Sequence, residues 1–208
     1  MDPQPNIQAL DRDALLLSLA PLVAVPRFKA LPADDREGGH RFLVARDGTY
    51  IEVTRPWLYA IGRIALGTHP APFGDVQEKV ELRCGAIPKR LLEDFLVLAR
   101  KACPNETAAA FVWNYLYNEW RLVETALSAN REHVTYSRSV RVSDDEVLVV
   151  DIHSHGAAPA FFSATDDRDD ANGVKVAIVI GSLDGTDGFD IKARLCFFGV
   201  HVELNDLC

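Results

Sequence analysis

Hydrophobic and polar residues follow a helical period in one long stretch of the chain. Over residues 88–103 the apolar side chains recur every three or four positions, with Pro88 at the start and Pro104 after the end. Proline is tolerated in the first turn of a helix and not in its interior, so the pattern predicts an amphipathic helix there. A shorter helix is predicted over residues 11–20, before Pro21.

Alternating and β-branched segments predict strands on both sides of the long helix. Residues 41–45 and 50–54 flank Asp47-Gly48, a dipeptide that favours a hairpin turn, and residues 57–66 are typical of a third strand. The later strands are predicted over residues 108–115, 120–126, 133–136, 147–151, 174–180 and 189–203, the last as one strand or a hairpin.

The predicted elements divide the chain of 208 residues into two parts. Residues 1–80 form an N-terminal β-rich extension or small domain, which includes a Pro- and Gly-containing linker at 68–75. Residues 86–208 contain helices and strands in mixed order, including a short helix at 164–171. This second part is predicted to be an α/β (α+β) domain with a mixed β-sheet flanked by helices.

Composition is that of a globular protein. Apolar residues make up 48% of the chain and charged residues 25%, which supports a sizeable core. The net charge of −8 argues against nucleic acid or an anionic membrane as the main partner, because both bind basic surfaces.

The cysteines and the first residues indicate a cytoplasmic protein. The N-terminus lacks the basic and apolar regions of a signal peptide, and the apolar run 15–25 is interrupted by proline and too short for a membrane span. Four cysteines without CxxC spacing, expected to be reduced thiols, occur at positions 84, 103, 196 and 208.

Candidate chemistry begins where the apolar run 147–151 ends. His153 and His155 follow it two residues apart, and alternate residues of a strand point to the same face. Together with Asp166 they offer two imidazoles and a carboxylate, the ligand set of a catalytic zinc with one open position. Polar residues at a strand end also produce such triples by chance, so spacing alone leaves both interpretations open.

Ser163-x-x-Asp166 also has a structural interpretation, as the capping box of the short helix. The two roles are compatible, because a helix start is a rigid place from which to aim a carboxylate. Asp167 is adjacent and chemically identical to Asp166, whereas Asp169 and Asp170 are expected on a solvated face.

A hydrolytic zinc site needs a general base from another element. Glu106 lies between the long helix and an apolar strand, where a side chain can be held in a cleft. The remaining candidates lie in hairpin or loop contexts that look exposed: Glu119, Glu124, Glu132 and Glu146.

The pattern His153-x-His155-x7-Ser163-x2-Asp166 resembles the signature of the JAB/MPN+ (JAMM) zinc metallopeptidases. Residues 102–109, which contain Glu106 at 47 positions before His153, resemble the family's glutamate segment. The resemblance covers residues 86–200 and implies a JAB/MPN-like (cytidine-deaminase-like) fold.

Carried over to this chain, the resemblance implies a zinc ion (Zn2+) held by His153, His155 and Asp166. Glu106 would act as general acid/base on the zinc-bound water, and Ser163 would donate a hydrogen bond to the tetrahedral oxyanion.

Two positions depart from the family pattern. The family often has proline after the second histidine and before the serine, where this chain has Gly156 and Phe162. Neither position supplies a ligand, but the loop between is expected to have a different shape. Phe161 and Phe162 either line the cleft or belong to the core, and the core is the favoured interpretation.

The N-terminal extension and the run 159–167 resemble a family found in bacterial PRTRC gene systems. That resemblance implies a ThiF/E1-like partner and a ubiquitin-like or β-grasp protein substrate. The expected function is hydrolysis of an amide bond at the C-terminal tail of such a modifier or sulfur-carrier-like protein. The alternatives are a non-catalytic JAB/MPN binding module and a zinc hydrolase of a small-molecule amide.

Overall fold

The computed structural model describes residues 7–34, 36, 38–129, 134–136, 140–185 and 188–205. The chain divides into two compact units, residues 1–83 and 84–208. Within the described ranges, no helix combines the length and apolar character needed to cross a membrane.

The described residues of the first unit form one helix and a five-stranded sheet in the order β1-β2-β3-β4-β5. Its strands are antiparallel neighbours except β1, which runs parallel to β2. The elements are α1 (Ile7–Leu19), β1 (Leu22–Ala24), β2 (Gly39–Val44), β3 (Gly48–Arg55), β4 (Leu58–Leu66) and β5 (Lys79–Leu82).

One face of this sheet buries aliphatic side chains, among them Leu43 and Ile61. A buried ion pair joins Arg41 on β2 to Glu52 on β3, and the Tyr59 hydroxyl donates to the other Glu52 oxygen at 2.7 Å. Burial and the Glu52 carboxylate raise the pKa of Tyr59 to about 12. The hydroxyl therefore stays protonated and remains a donor to Glu52 at physiological pH.

The second unit is built on a six-stranded sheet in the order β13-β12-β11-β10-β6-β7. The central pair β10 and β11 is parallel and the other neighbours are antiparallel, so the predicted mixed sheet flanked by helices is confirmed. The elements are α2 (Lys89–Ala102), β6 (Thr107–Asn114), β7 (Glu119–Glu124), β8 (Ala126–Ala129), β9 (Val134–Tyr136), β10 (Glu146–Ser154), α3 (Ala164–Asp170), β11 (Val174–Gly181), β12 (Asp190–Phe197) and β13 (Val200–Glu203).

Helix α2 forms where the apolar period predicted it. Pro88 occupies the N-cap position in an extended conformation, and the buried stripe Leu91, Phe95 and Ala99 repeats every four residues. These side chains remove one face of the helix from water, which is the main driving force for docking an amphipathic helix. The helix ends at Ala102, before Pro104.

Most differences between the observed elements and those predicted from the sequence involve short strands. Strands β1 and β5 have three and four residues, too few to show an alternating period in the sequence. The segment 189–203 is a hairpin, turned at Phe198-Gly199 where both residues have positive φ. His133, predicted to begin an extended segment, lies outside the described residues, and β9 starts at Val134.

Candidate metal centre

Strand β10 carries His153 at its end, in the central parallel pair, and His155 follows one residue beyond the strand. Its residues Val150 and Ile152 are fully buried between β6 and β11, so the strand is held on both sides. Asp151, His153 and His155 alternate with them and therefore share the opposite face of the sheet.

The structure brings His153, His155 and Asp166 together, with one ligand atom from each within 4.8 Å of the others. The Nε2 atoms of the two histidines are 3.2 Å apart, and Asp166 Oδ1 is 3.6 Å from His153 Nε2. Ligand atoms about 2.1 Å from a tetrahedral zinc stand about 3.4 Å apart, so these two separations and the three residue types fit a zinc ion.

His155 is oriented by the turn that follows it. Its Nδ1 lies 3.1 Å from the carbonyl oxygen of Pro159, which can only accept, so Nδ1 carries the proton and Nε2 is available as a ligand. The edge of Phe161 contacts the same ring at 4.6 Å between centroids. Because Phe161 is 52% exposed, the core interpretation is wrong for this residue. Phe161 instead forms an apolar wall beside the cluster.

Helix α3 presents Asp166 through the predicted capping box. Ser163 N donates to Asp166 Oδ2 at 2.6 Å, and Asp166 N donates to Ser163 Oγ at 3.2 Å. The two carboxylate oxygens therefore have separate positions, since Oδ2 caps the helix while Oδ1 faces His153. The Ser163 hydroxyl accepts in this box, which leaves its own proton for donation to another acceptor.

Burial sets the protonation state of His153. It lowers the pKa of the imidazole, and the neighbouring Asp166 opposes that effect only in part. The neutral ring, which is the form that binds a metal, is therefore favoured at neutral pH.

Glu106 lies directly before β6, which pairs antiparallel with β10. Thr107 is opposite Ser154, whose buried hydroxyl accepts a hydrogen bond from Thr107 N at 3.0 Å. Both strands end at this pair, and the same register continued by one residue would set Glu106 opposite His155. Glu106 is only 9% exposed.

The other candidate acids have different surroundings. Glu119 and Glu124 are exposed on β7, as expected from the sequence. Glu146 accepts from Arg121 at 2.7 Å, and this contact lowers the pKa of the Glu146 carboxyl to about 2. A carboxyl with so low a pKa is a poor proton acceptor. Glu132 lies outside the described residues.

The backbone conformation at Gly156 explains why this chain has glycine where the family it resembles often has proline. Its φ is +57°, a value that proline cannot adopt, and a Cβ added here would lie 2.4 Å from the carbonyl oxygen of Pro104. The turn after His155 thus packs directly against the backbone that leads to Glu106. A side chain at position 156 would push these two backbone segments apart.

The sequence did not predict that Lys175 and Arg194 contact α3. Asp170, expected on a solvated face, is 3% exposed and pairs with Lys175 and Arg194, so that expectation is wrong. Asp167 pairs with Arg194 at 2.7 Å and takes no part in the histidine cluster. A lysine inside the otherwise apolar strand 174–180 was the available signal, because a charge in a buried strand requires a partner.

Comparison with known proteins finds a family match for each part of the chain. Residues 88–195 match the family described as prokaryotic homologs of the JAB domain, and residues 10–83 match a domain of unknown function, DUF2016. No curated protein matches the chain. Among solved structures, the solution structure of protein DSY2949 from Desulfitobacterium hafniense is 22% identical, with a TM-score of 0.41, and the match covers 56% of this chain and 86% of that one.

Proposed function

Because the chain belongs to the prokaryotic homologs of the JAB domain, we propose that it is a zinc-dependent metallopeptidase or isopeptidase. The proposal is carried by one observation, the convergence of His153, His155 and Asp166 at the spacing of tetrahedral zinc ligands. A direct N–H···N hydrogen bond would explain the contact between the two histidines. A zinc ion would account for that contact and for the approach of Asp166 Oδ1 to His153 Nε2 at 3.6 Å together.

The chain's own residues supply the remaining groups of an amide hydrolase. A zinc ion bound here would polarise the scissile carbonyl and lower the pKa of a water molecule. Glu106 would accept a proton from the attacking water and return it to the leaving amine. Ser163 would donate its hydroxyl proton to the oxygen on which negative charge develops. Phe161 would limit the access of bulk water beside His155.

The proposed substrate is the extended C-terminal tail of a ubiquitin-like or β-grasp protein, cleaved at the amide bond that follows it. Such a tail can bind by strand addition, and the six-stranded sheet of the described chain has β7 and β13 at its edges. The resemblance to proteins of PRTRC gene systems extends the proposal to a ThiF/E1-like partner. Four cysteines without CxxC spacing support a cytoplasmic location as part of the proposal.

A pair of matched variants tests the proposal. Wild type, Glu106→Gln and Glu119→Gln would be purified without a chelator or histidine tag, and their zinc content measured. Each would then be incubated with ubiquitin-like proteins that carry a peptide after the tail, and release of the peptide followed by mass spectrometry. Glu119 is the control because it is an exposed glutamate of the same domain.

We expect one zinc per chain in all three proteins, cleavage by wild type and Glu119→Gln, and a loss of about 10²–10⁴-fold in Glu106→Gln. Stoichiometric zinc without Glu106-dependent cleavage would favour the non-catalytic binding module. Cleavage of small amides but not of protein tails would favour the small-molecule hydrolase.

A further inference from the structure

Lys175 joins the two elements that carry the candidate metal ligands. Its Nζ atom lies 2.7 Å from Asp151 Oδ2 on β10 and 2.7 Å from Asp170 Oδ1 on α3. Burial alone would lower the pKa of the ammonium, but the two carboxylates outweigh burial and raise it. The bridge is therefore charged at neutral pH.

Each aspartate that contacts Lys175 shares a strand or helix face with a candidate metal ligand. Asp151 is two residues before His153 on the same face of β10, and Asp170 is four residues after Asp166 on the same face of α3. A shift of either aspartate would therefore move the ligand beside it. Lys175 lies on β11, which pairs directly with β10, so the bridge starts from a fixed strand.

Arg194 holds the same helix from the next strand. It donates to Asp170 Oδ2 at 2.8 Å and to Asp167 Oδ1 at 2.7 Å, and its guanidinium lies 3.9 Å from the ring centre of Phe162. Asp170 thus uses one oxygen for each cation. Helix α3 has only seven residues, too few for stability on its own, so these ion pairs and its packing decide where it sits.

A contribution to folding stability does not by itself explain why these buried ion pairs are present. Buried ion pairs are often replaceable by apolar residues without loss of stability, because desolvation offsets their attraction. Their directional contacts instead specify geometry. We propose that Lys175 is a positioning residue of the metal centre, holding Asp166 on α3 at a set distance from His153 on β10. This inference rests on the proposed function, since it assigns Lys175 a role toward the zinc.

The test compares Lys175→Met with Lys192→Met. Lys192 is the matched control because it lies on the adjacent strand β12, is exposed, and forms no ion pair within the described part of the chain. The zinc dissociation constant of each folded protein would be measured at 25 °C by competition with a chromophoric chelator. Thermal unfolding of the metal-free proteins would be measured alongside.

We expect Lys175→Met to bind zinc about 10–100-fold more weakly, the usual effect of removing an outer contact of a metal site. Lys192→Met should bind zinc as the wild type does. A merely structural lysine would lower the unfolding temperature and leave the zinc affinity of the folded protein unchanged, and that result would overturn the proposal.

A second variant covers the case in which Lys175→Met fails to fold. Lys175→Met combined with Asp151→Asn removes one cation and one anion, while Asp170 keeps its pair with Arg194. The folded double variant should still bind zinc about 10–100-fold more weakly than wild type. Equal affinity would overturn the positioning role alone, whereas a wild type that binds no zinc would overturn the proposed function and this inference together.

Discussion

Replacing Gly156 by alanine tests whether the turn after His155 sets the position of Glu106. The added Cβ would lie 2.4 Å from the Pro104 carbonyl oxygen, 1.0 Å inside the 3.4 Å at which ordinary contact begins. Because the obstacle is backbone, the two segments must separate. Pro104 is two residues before Glu106, so the separation moves the proposed base away from the histidines.

The size of the effect follows from two contributions. A non-glycine residue at φ +57° costs about 1–2 kcal/mol of strain, and overpacking against a fixed neighbour adds about 1–3 kcal/mol. Gly156→Ala should therefore lose about 2–5 kcal/mol of unfolding free energy. A displacement on the order of 1 Å should also lower kcat for tail cleavage about 100-fold.

Gly85→Ala is the control, because Gly85 has a φ of +74° and nothing within 4 Å of the added Cβ. It should lose only the strain, about 1–2 kcal/mol. Both variants would be examined by urea unfolding, zinc content and cleavage of a tail fusion. Equal losses of stability in the two variants, together with unchanged cleavage by Gly156→Ala, would refute the reasoning.

Three further measurements test individual parts of the structure. Ser163→Ala removes the cap of α3 and should lower the free energy of unfolding in urea by about 1 kcal/mol. The variant should still bind zinc but cleave the tail more slowly, and full cleavage would exclude the oxyanion role. Phe95→Ala opens a cavity under α2 and should cost about 3–5 kcal/mol, whereas a loss below about 1 kcal/mol would show that the helix is loosely packed. Burial raises the pKa of Cys84 to about 11 and of Cys196 to about 12. Little thiolate of either cysteine then exists at pH 8. Mass spectrometry should therefore detect iodoacetamide labelling of Cys84 and Cys196 only after unfolding or as the pH approaches their pKa values. Rapid labelling of the native protein would contradict their burial.

The parts of the second unit that follow a local period could be predicted from the sequence. The stripe of α2, the alternation of β10 and the spacing of Ser163 and Asp166 each depend on residues within one element. These local patterns are set by backbone geometry, so they can be read without knowledge of the fold.

The surroundings of α3 could not be predicted, because they depend on distant elements. Asp169 and Asp170 look alike in the sequence, and only the folded sheet brings Lys175 and Arg194 against the second of them. Phe161 was wrongly expected in the core for the same reason, since an aromatic residue fits either a core or the wall of a cleft. What a side chain contacts across the fold is not encoded in its neighbours along the chain.

The antiparallel register between β6 and β10 also has an evolutionary consequence. The pairing of Thr107 with Ser154 brings the residue before β6, Glu106, to the sheet end where β10 carries His153. The number of residues between the two strands plays no part in that pairing. The intervening segment can therefore gain or lose residues beyond the β6 and β10 ladder while the chemistry stays in place. A domain built this way can acquire new recognition segments by insertion without having to reinvent its reaction centre.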